Sequence, residues 1–157
     1  MRMAPRWLSP DEMRAWRNLI ESFAALNHAL EADLQPHGLT LGDYEVLVNL
    51  SEAEEQSMRM CDLAGTLRLS PSGLTRRLDG LVRAGLVERR GCASDRRVMY
   101  AHLTVEGRRR LAKAAPDHVA GVRRHLLDAL DPEQIVQLGD IFTRVRAALR
   151  AEPVTAS

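Results

Sequence analysis

The 157-residue chain is 45% hydrophobic and 27% charged, with two Trp, two Tyr and two Phe, the balance of a soluble globular protein rich in helix formers. It has no apolar run of the roughly 18–20 residues that a membrane span needs, and its first ten residues lack the apolar core of a secretory signal, so the cytoplasm is the expected compartment. Net charge is only +1 but unevenly spread: residues 1–69 hold 6 basic and 11 acidic side chains, residues 70–110 hold 10 and 4, and residues 111–157 hold 6 and 6.

Ser9-Pro10-Asp11-Glu12 reads as a helix start, with a cap, a proline in the first turn and acids behind it. The helix runs to about residue 35, with Met13, Trp16, Ile20, Phe23, Asn27, Leu30 and Leu34 spaced by alternating threes and fours, and a second row at Leu19 and Leu26. That pattern wants neighbours on more than one side. Pro36-His37-Gly38 ends it, and Thr40 opens a second helix over about 41–53 with Tyr44, Leu47, Val48 and Leu50 inward. A polar loop, 52–57, leads to a short helix over about 60–67. The segment LRLSPSG follows, in which Ser70 is a cap and Pro71 the first helical residue. The next helix, about 71–84, turns Leu74, Leu78, Leu81 and Val82 one way and Ser72, Arg76 and Arg83 the other. Two short helices joined by a tight turn match a helix-turn-helix.

After Gly85, LVERRGC and RRVMYAHLT alternate as two hairpin strands, with Ala93, Ser94 and Asp95 near the turn. A helix-turn-helix followed by a hairpin is a winged helix. Thr104 caps a helix over about 105–129, and Asp131-Pro132 starts another over about 132–150. The expected fold is therefore mainly α, with a two-stranded wing, in a single domain spanning 1–157.

Chemistry narrows the function. There is no Walker loop, no dinucleotide glycine fingerprint, no G-x-S-x-G elbow and no H-E-x-x-H helix, so nothing argues for an enzyme or a cofactor. His28, His37, His102, His118 and His125 are scattered, and Cys61 and Cys92 read as reduced thiols, so no metal site is expected. The ten basic residues of 70–110 are all arginine, a planar and permanently charged fork suited to phosphate and guanine edges. A helix entering the major groove needs a slim first turn, hydroxyls and amides for phosphates, and a few long donors. Ser70, Ser72, Gly73, Thr75, Arg76 and Arg77 supply that set. A wing reaches the minor groove, whose narrow stretches attract arginine; Arg96 or Arg97 could insert there, with Asp95 fixing the posture of one while the other points outward.

The segments LTLGDYEVLVNL (39–50), LAGTLRLSPSGLTRRLDGLVRAGLVERR (63–90) and SDRRVMYAHLTVEGRRRL (94–111) together resemble the MarR family of bacterial transcriptional regulators, the last through its D-x-R wing and L-T-x-x-G continuation. The resemblance implies a homodimer whose helices over 10–35 and 105–150 interleave and whose winged lobe, 39–104, binds double-stranded DNA at a pseudo-palindromic operator, with Arg96 by position the minor-groove arginine and Asp95 and Arg97 supporting it. It also implies a repressor relieved by a small anionic aromatic ligand in the cleft between dimer helices and lobe, where Trp16, Tyr44, Glu45, Arg76 and Arg89 are the residues best placed. The family's peroxide sensors carry a reactive cysteine near the chain start; here none precedes Cys61. The competing expectation is a winged-helix protein-interaction module without sequence-specific DNA binding.

Overall fold

Each long helix of the protein, seen in a computed structural model that describes residues 5–92, 95 and 97–151, begins where a side chain takes up its free amides. Helix α1 (Pro10–Leu34) has a reciprocal capping box, Ser9 Oγ accepting from the Glu12 amide and Glu12 accepting from the Ser9 amide. Thr40 and Asp43 repeat the device at α2 (Leu41–Glu52), and Asp131 and Gln134 do so at α6 (Pro132–Ala151). Such caps each contribute about 1 kcal/mol and set where the helix begins.

Helices α3 (Met60–Leu67) and α4 (Pro71–Arg83) form the helix-turn-helix. Arg68 leaves α3 in a left-handed conformation (φ 54°) and Leu69 donates back to the Ala64 carbonyl. The wing strands β2 (Val87–Gly91) and β3 (Met99–Leu103) are joined by a third, β1 (Ser57–Arg59), giving an antiparallel sheet of order β1-β3-β2. The sequence shows β1 only as the end of a polar loop, because three residues carry too little alternation to be read. The register sets Arg89 opposite Ala101 and Val87 opposite Leu103, while Tyr100 faces Arg59 and Arg90. Directly paired residues share a face, so Arg89 points inward with Val87 and Ala101, toward the helices.

The core gathers Leu34 of α1, Val46, Leu47 and Leu50 of α2, Leu63 of α3, Leu74 and Leu78 of α4, and Leu86 and Val87, all essentially inaccessible to solvent. Val46 takes the inward place that the sequence reading gives to Val48, which is only half-buried. Helix α5 (Val105–His125) is locked on at its start. Thr104 Oγ1 donates to the Gly85 carbonyl and accepts from the Gly107 amide, and the Thr104 amide donates to the Leu86 carbonyl. Gly107 rides so close to that carbonyl that a Cβ there would fall 2.1 Å from its oxygen. Further along α5, Arg110 donates to the His37 carbonyl and Asp117 meets the His37 ring at 2.6 Å, tying the α1–α2 connection to α5.

The chain divides into two compact units, residues 1–121 and 122–157. The second holds the last turn of α5, a 3-10 turn at Leu127–Ala129 and α6. The helix expected to reach residue 129 stops at His125, because Leu126 (φ −131°, ψ −60°) leaves the helical range. Among the described residues, no helix is long and apolar enough to cross a membrane.

Candidate nucleic-acid interface

Helix α4 buries Leu74, Leu78 and Leu81 and leaves the opposite face open. Ser70 Oγ accepts from the Gly73 amide at 3.1 Å and meets Ser72 Oγ at 3.2 Å, while the Thr75 hydroxyl donates to the Pro71 carbonyl. Ser72, Thr75 and Arg76 are exposed. The first two turns thus present two serine hydroxyls at the amide end of a helix, with a guanidinium one turn on, a combination suited to phosphate and base edge.

Arg77 takes a different course. Its guanidinium lies over α2 at Gly42, where an added Cβ would fall 1.3 Å from Nη1; it packs the recognition helix against its neighbour through the gap a glycine leaves.

Arg89 supplies a brace. From β2 its Nη2 donates to the Thr75 carbonyl at 2.9 Å and to Asp79 Oδ1 at 2.8 Å, so the wing strand is bonded to the outer side of α4. The side chain is about a quarter exposed (27%), and its Nε is buried without a partner. Asp79 is half exposed, so solvent screens the ionic part of this contact, and the carbonyl bond to Thr75 shares the work of holding Arg89.

In the wing, Asp95 Oδ1 accepts from the Arg97 main-chain amide at 2.9 Å. Asp95 therefore holds residue 97 through its backbone. Ala93, Ser94 and Arg96 lie outside the described residues, and with them the minor-groove role given to Arg96.

Tyr44 and Glu45 line one cleft of about 310 Å³ with Asn27, Leu30 and His118. Trp16, half-exposed on α1, Arg76 and Arg89 do not line this cleft. His118, not singled out as a cleft residue from sequence, stacks on Tyr44 with ring centroids 4.3 Å apart, and its Nδ1 is buried without a partner. Burial lowers its pKa from the usual 6.5, against Asp33 and Glu45, which raise it; burial likewise raises that of the Tyr44 phenol. A lone histidine gives no sequence signal for such a place. Among the described residues, no group of three or more His, Cys, Asp or Glu is placed to hold a metal ion.

A helix-turn-helix with an arginine-bearing recognition helix, braced to a β-hairpin wing, defines a winged-helix transcriptional regulator. The sequence pattern of the MarR family matches residues 39–99. The HTH-type transcriptional repressor YetL of Bacillus subtilis (strain 168) is 30% identical over 131 residues, 82% of this chain and 78% of YetL. Two crystal structures from Streptomyces coelicolor superpose closely. AbsC, a MarR family transcriptional regulator, is 46% identical with a TM-score of 0.89 over 94% of this chain and 100% of its own. Sco3205, of the same family and in complex with DNA, is 36% identical with a TM-score of 0.90 over 99% and 97%. The chain belongs to the MarR family; it is a DNA-binding transcriptional regulator, and these relatives are regulators, not enzymes.

Proposed function

We propose that the protein is a cytoplasmic, homodimeric, sequence-specific repressor whose grip on a pseudo-palindromic operator is relieved by a small aromatic ligand. The observation that carries this reading is the open face of α4, which offers Ser72 and Arg76 to a groove while Arg89 ties the helix to the wing. Dimerisation is supported within each unit separately. On α1, Met13, Trp16, Ile20 and Phe23 form an exposed apolar row, and on α6 Ile135, Ile141, Phe142, Val145 and Leu149 form another. Exposed apolar rows of that length are a sign of a protein interface, and a two-fold dimer places two recognition helices on half-sites about one DNA turn apart. The support for a ligand is the cleft at Tyr44 and His118, an aromatic-walled space with an unsatisfied ring nitrogen. An aromatic carboxylate or phenolate is the ligand class the family resemblance implies.

Fluorescence anisotropy tests the reading, with labelled DNA from upstream of the coding sequence set against random duplex. A preference of roughly a thousandfold or more is expected. Arg76→Ala and Arg96→Ala should both reduce it while leaving the thermal melt in place; equal affinity for the two DNAs would refute sequence-specific regulation and favour a protein-interaction role.

A further inference from the structure

A hollow of about 430 Å³ opens between the start of α4 and the turn end of the wing, away from the Tyr44 cleft. Its floor is apolar, including Met60, Val98 and Met99, and its rim holds Thr75 of the recognition helix, Arg97 of the wing and Arg59. Among the described residues, no carboxylate lines it. Arg59, where β1 passes into α3, is exposed but held: its Nε donates to the Tyr100 hydroxyl at 3.1 Å and its guanidinium carbon stands 6.0 Å from the centre of the Tyr100 ring. Asp62, in the first turn of α3, takes the Cys61 thiol at 3.5 Å and acts on Arg59 through its charge, though the two form no direct ion pair.

Adjacent grooves of a duplex are separated by one sugar-phosphate strand. If α4 occupies the major groove and the wing the minor groove beside it, that strand has to pass between them, and what lies between them is this hollow. We infer that the hollow is the seat of that strand, with Arg59 and Arg97 gripping a phosphate from two sides and the apolar floor against deoxyribose. Arg59 is then a phosphate-binding residue and Tyr100 a positioning residue that keeps its guanidinium over the strand. Charge complementarity and continuity with the recognition helix and wing single out this occupant. The inference rests on the DNA-binding reading above.

A phosphate contact is blind to sequence, so it can be tested without the operator. The probe is a fluorescein-labelled random duplex of about 30 base pairs, titrated with the full chain between about 50 and about 200 mM salt. Arg59→Ala should lower the slope of log K against log salt by about 0.9 per lobe and weaken binding roughly fivefold per lobe at about 0.15 M salt. Operator and random DNA should suffer equally. Arg59→Lys should keep the slope. Tyr100→Phe should also keep it, since the charge remains, yet bind roughly threefold more weakly because the guanidinium is no longer held. Circular-dichroism melts check that all three variants fold. An unchanged slope in Arg59→Ala overturns the inference, as does a loss confined to one DNA sequence. Absence of salt-dependent binding in the wild type would instead sink the DNA-binding reading itself.

Discussion

Replacing Gly107 by alanine sets two effects of known sign against each other. Alanine is the better helix former by about 1 kcal/mol at an unconstrained interior position. At residue 107, however, the new Cβ would stand 2.1 Å from the Leu86 carbonyl oxygen and 2.8 Å from Leu103 Cδ1. A carbon and a carbonyl oxygen ordinarily approach to about 3.3 Å, so α5 and the Leu86 peptide must separate by roughly 1 Å. That carbonyl is the acceptor for the Thr104 amide at 3.1 Å, and moving it weakens a hydrogen bond with a net value of about 1 kcal/mol. Adding an overpacking cost of about 1–3 kcal/mol and subtracting the propensity gain leaves a loss of about 2 kcal/mol. For a chain of this size that lowers Tm by about 4–8 °C. Differential scanning calorimetry of Gly107→Ala measures it, and Gly80→Ala is the control: Gly80 lies in exposed α4 with nothing within 4 Å of an added Cβ, so that change should hold or raise Tm. A Gly107→Ala melt equal to or above wild type would refute the close-approach reasoning.

His118 gives a pH signature. Burial holds its pKa below 6.5, so the unfolded chain takes up the proton first as pH falls, and stability declines from about pH 6.5 downward until the folded ring protonates too. In urea melts between about pH 7 and about pH 5, His118→Gln should show a shallower decline than wild type; parallel declines would remove His118 from the account. The Arg89 brace predicts coupling: Arg89→Ala should weaken DNA binding several-fold and Asp79→Ala less, since the Thr75 carbonyl bond survives it, and the double variant should be little worse than Arg89→Ala, which already removes the Asp79 contact. Additive losses measured by anisotropy would show that the two residues act separately.

The elements were legible where chemistry is local. Ser9-Pro10, Thr40, Ser70-Pro71 and Asp131-Pro132 announce helix starts because a cap is made within three residues. Strand β1 was not, since its identity comes from a partner strand more than forty residues away. The same distinction runs through the site. The outward set on α4 follows from helical spacing, but the partners of the arginines do not. The sequence offers Arg89 as a candidate for a ligand cleft; only the β2–β3 register and the packing of the sheet on α4 reveal that it faces inward to Asp79 and Thr75. Arg77 looks like a groove reader by position, and its course over α2 depends on a glycine thirty-five residues earlier. Arg59 and Tyr100 are drawn together by the β1–β3 register, which nothing near either residue encodes.

The Arg89 brace has a bearing on how such a lobe chooses its sites. With β2 bonded to the Thr75 carbonyl and to Asp79, recognition helix and wing base form a caliper of set opening. A caliper does not adjust to the duplex; the duplex must bring its groove edges to the caliper, at an elastic cost that depends on base steps neither jaw touches. Selectivity would then extend to the width and stiffness of the stretch between the contacts, and loosening the brace would blur that measurement before it abolished binding.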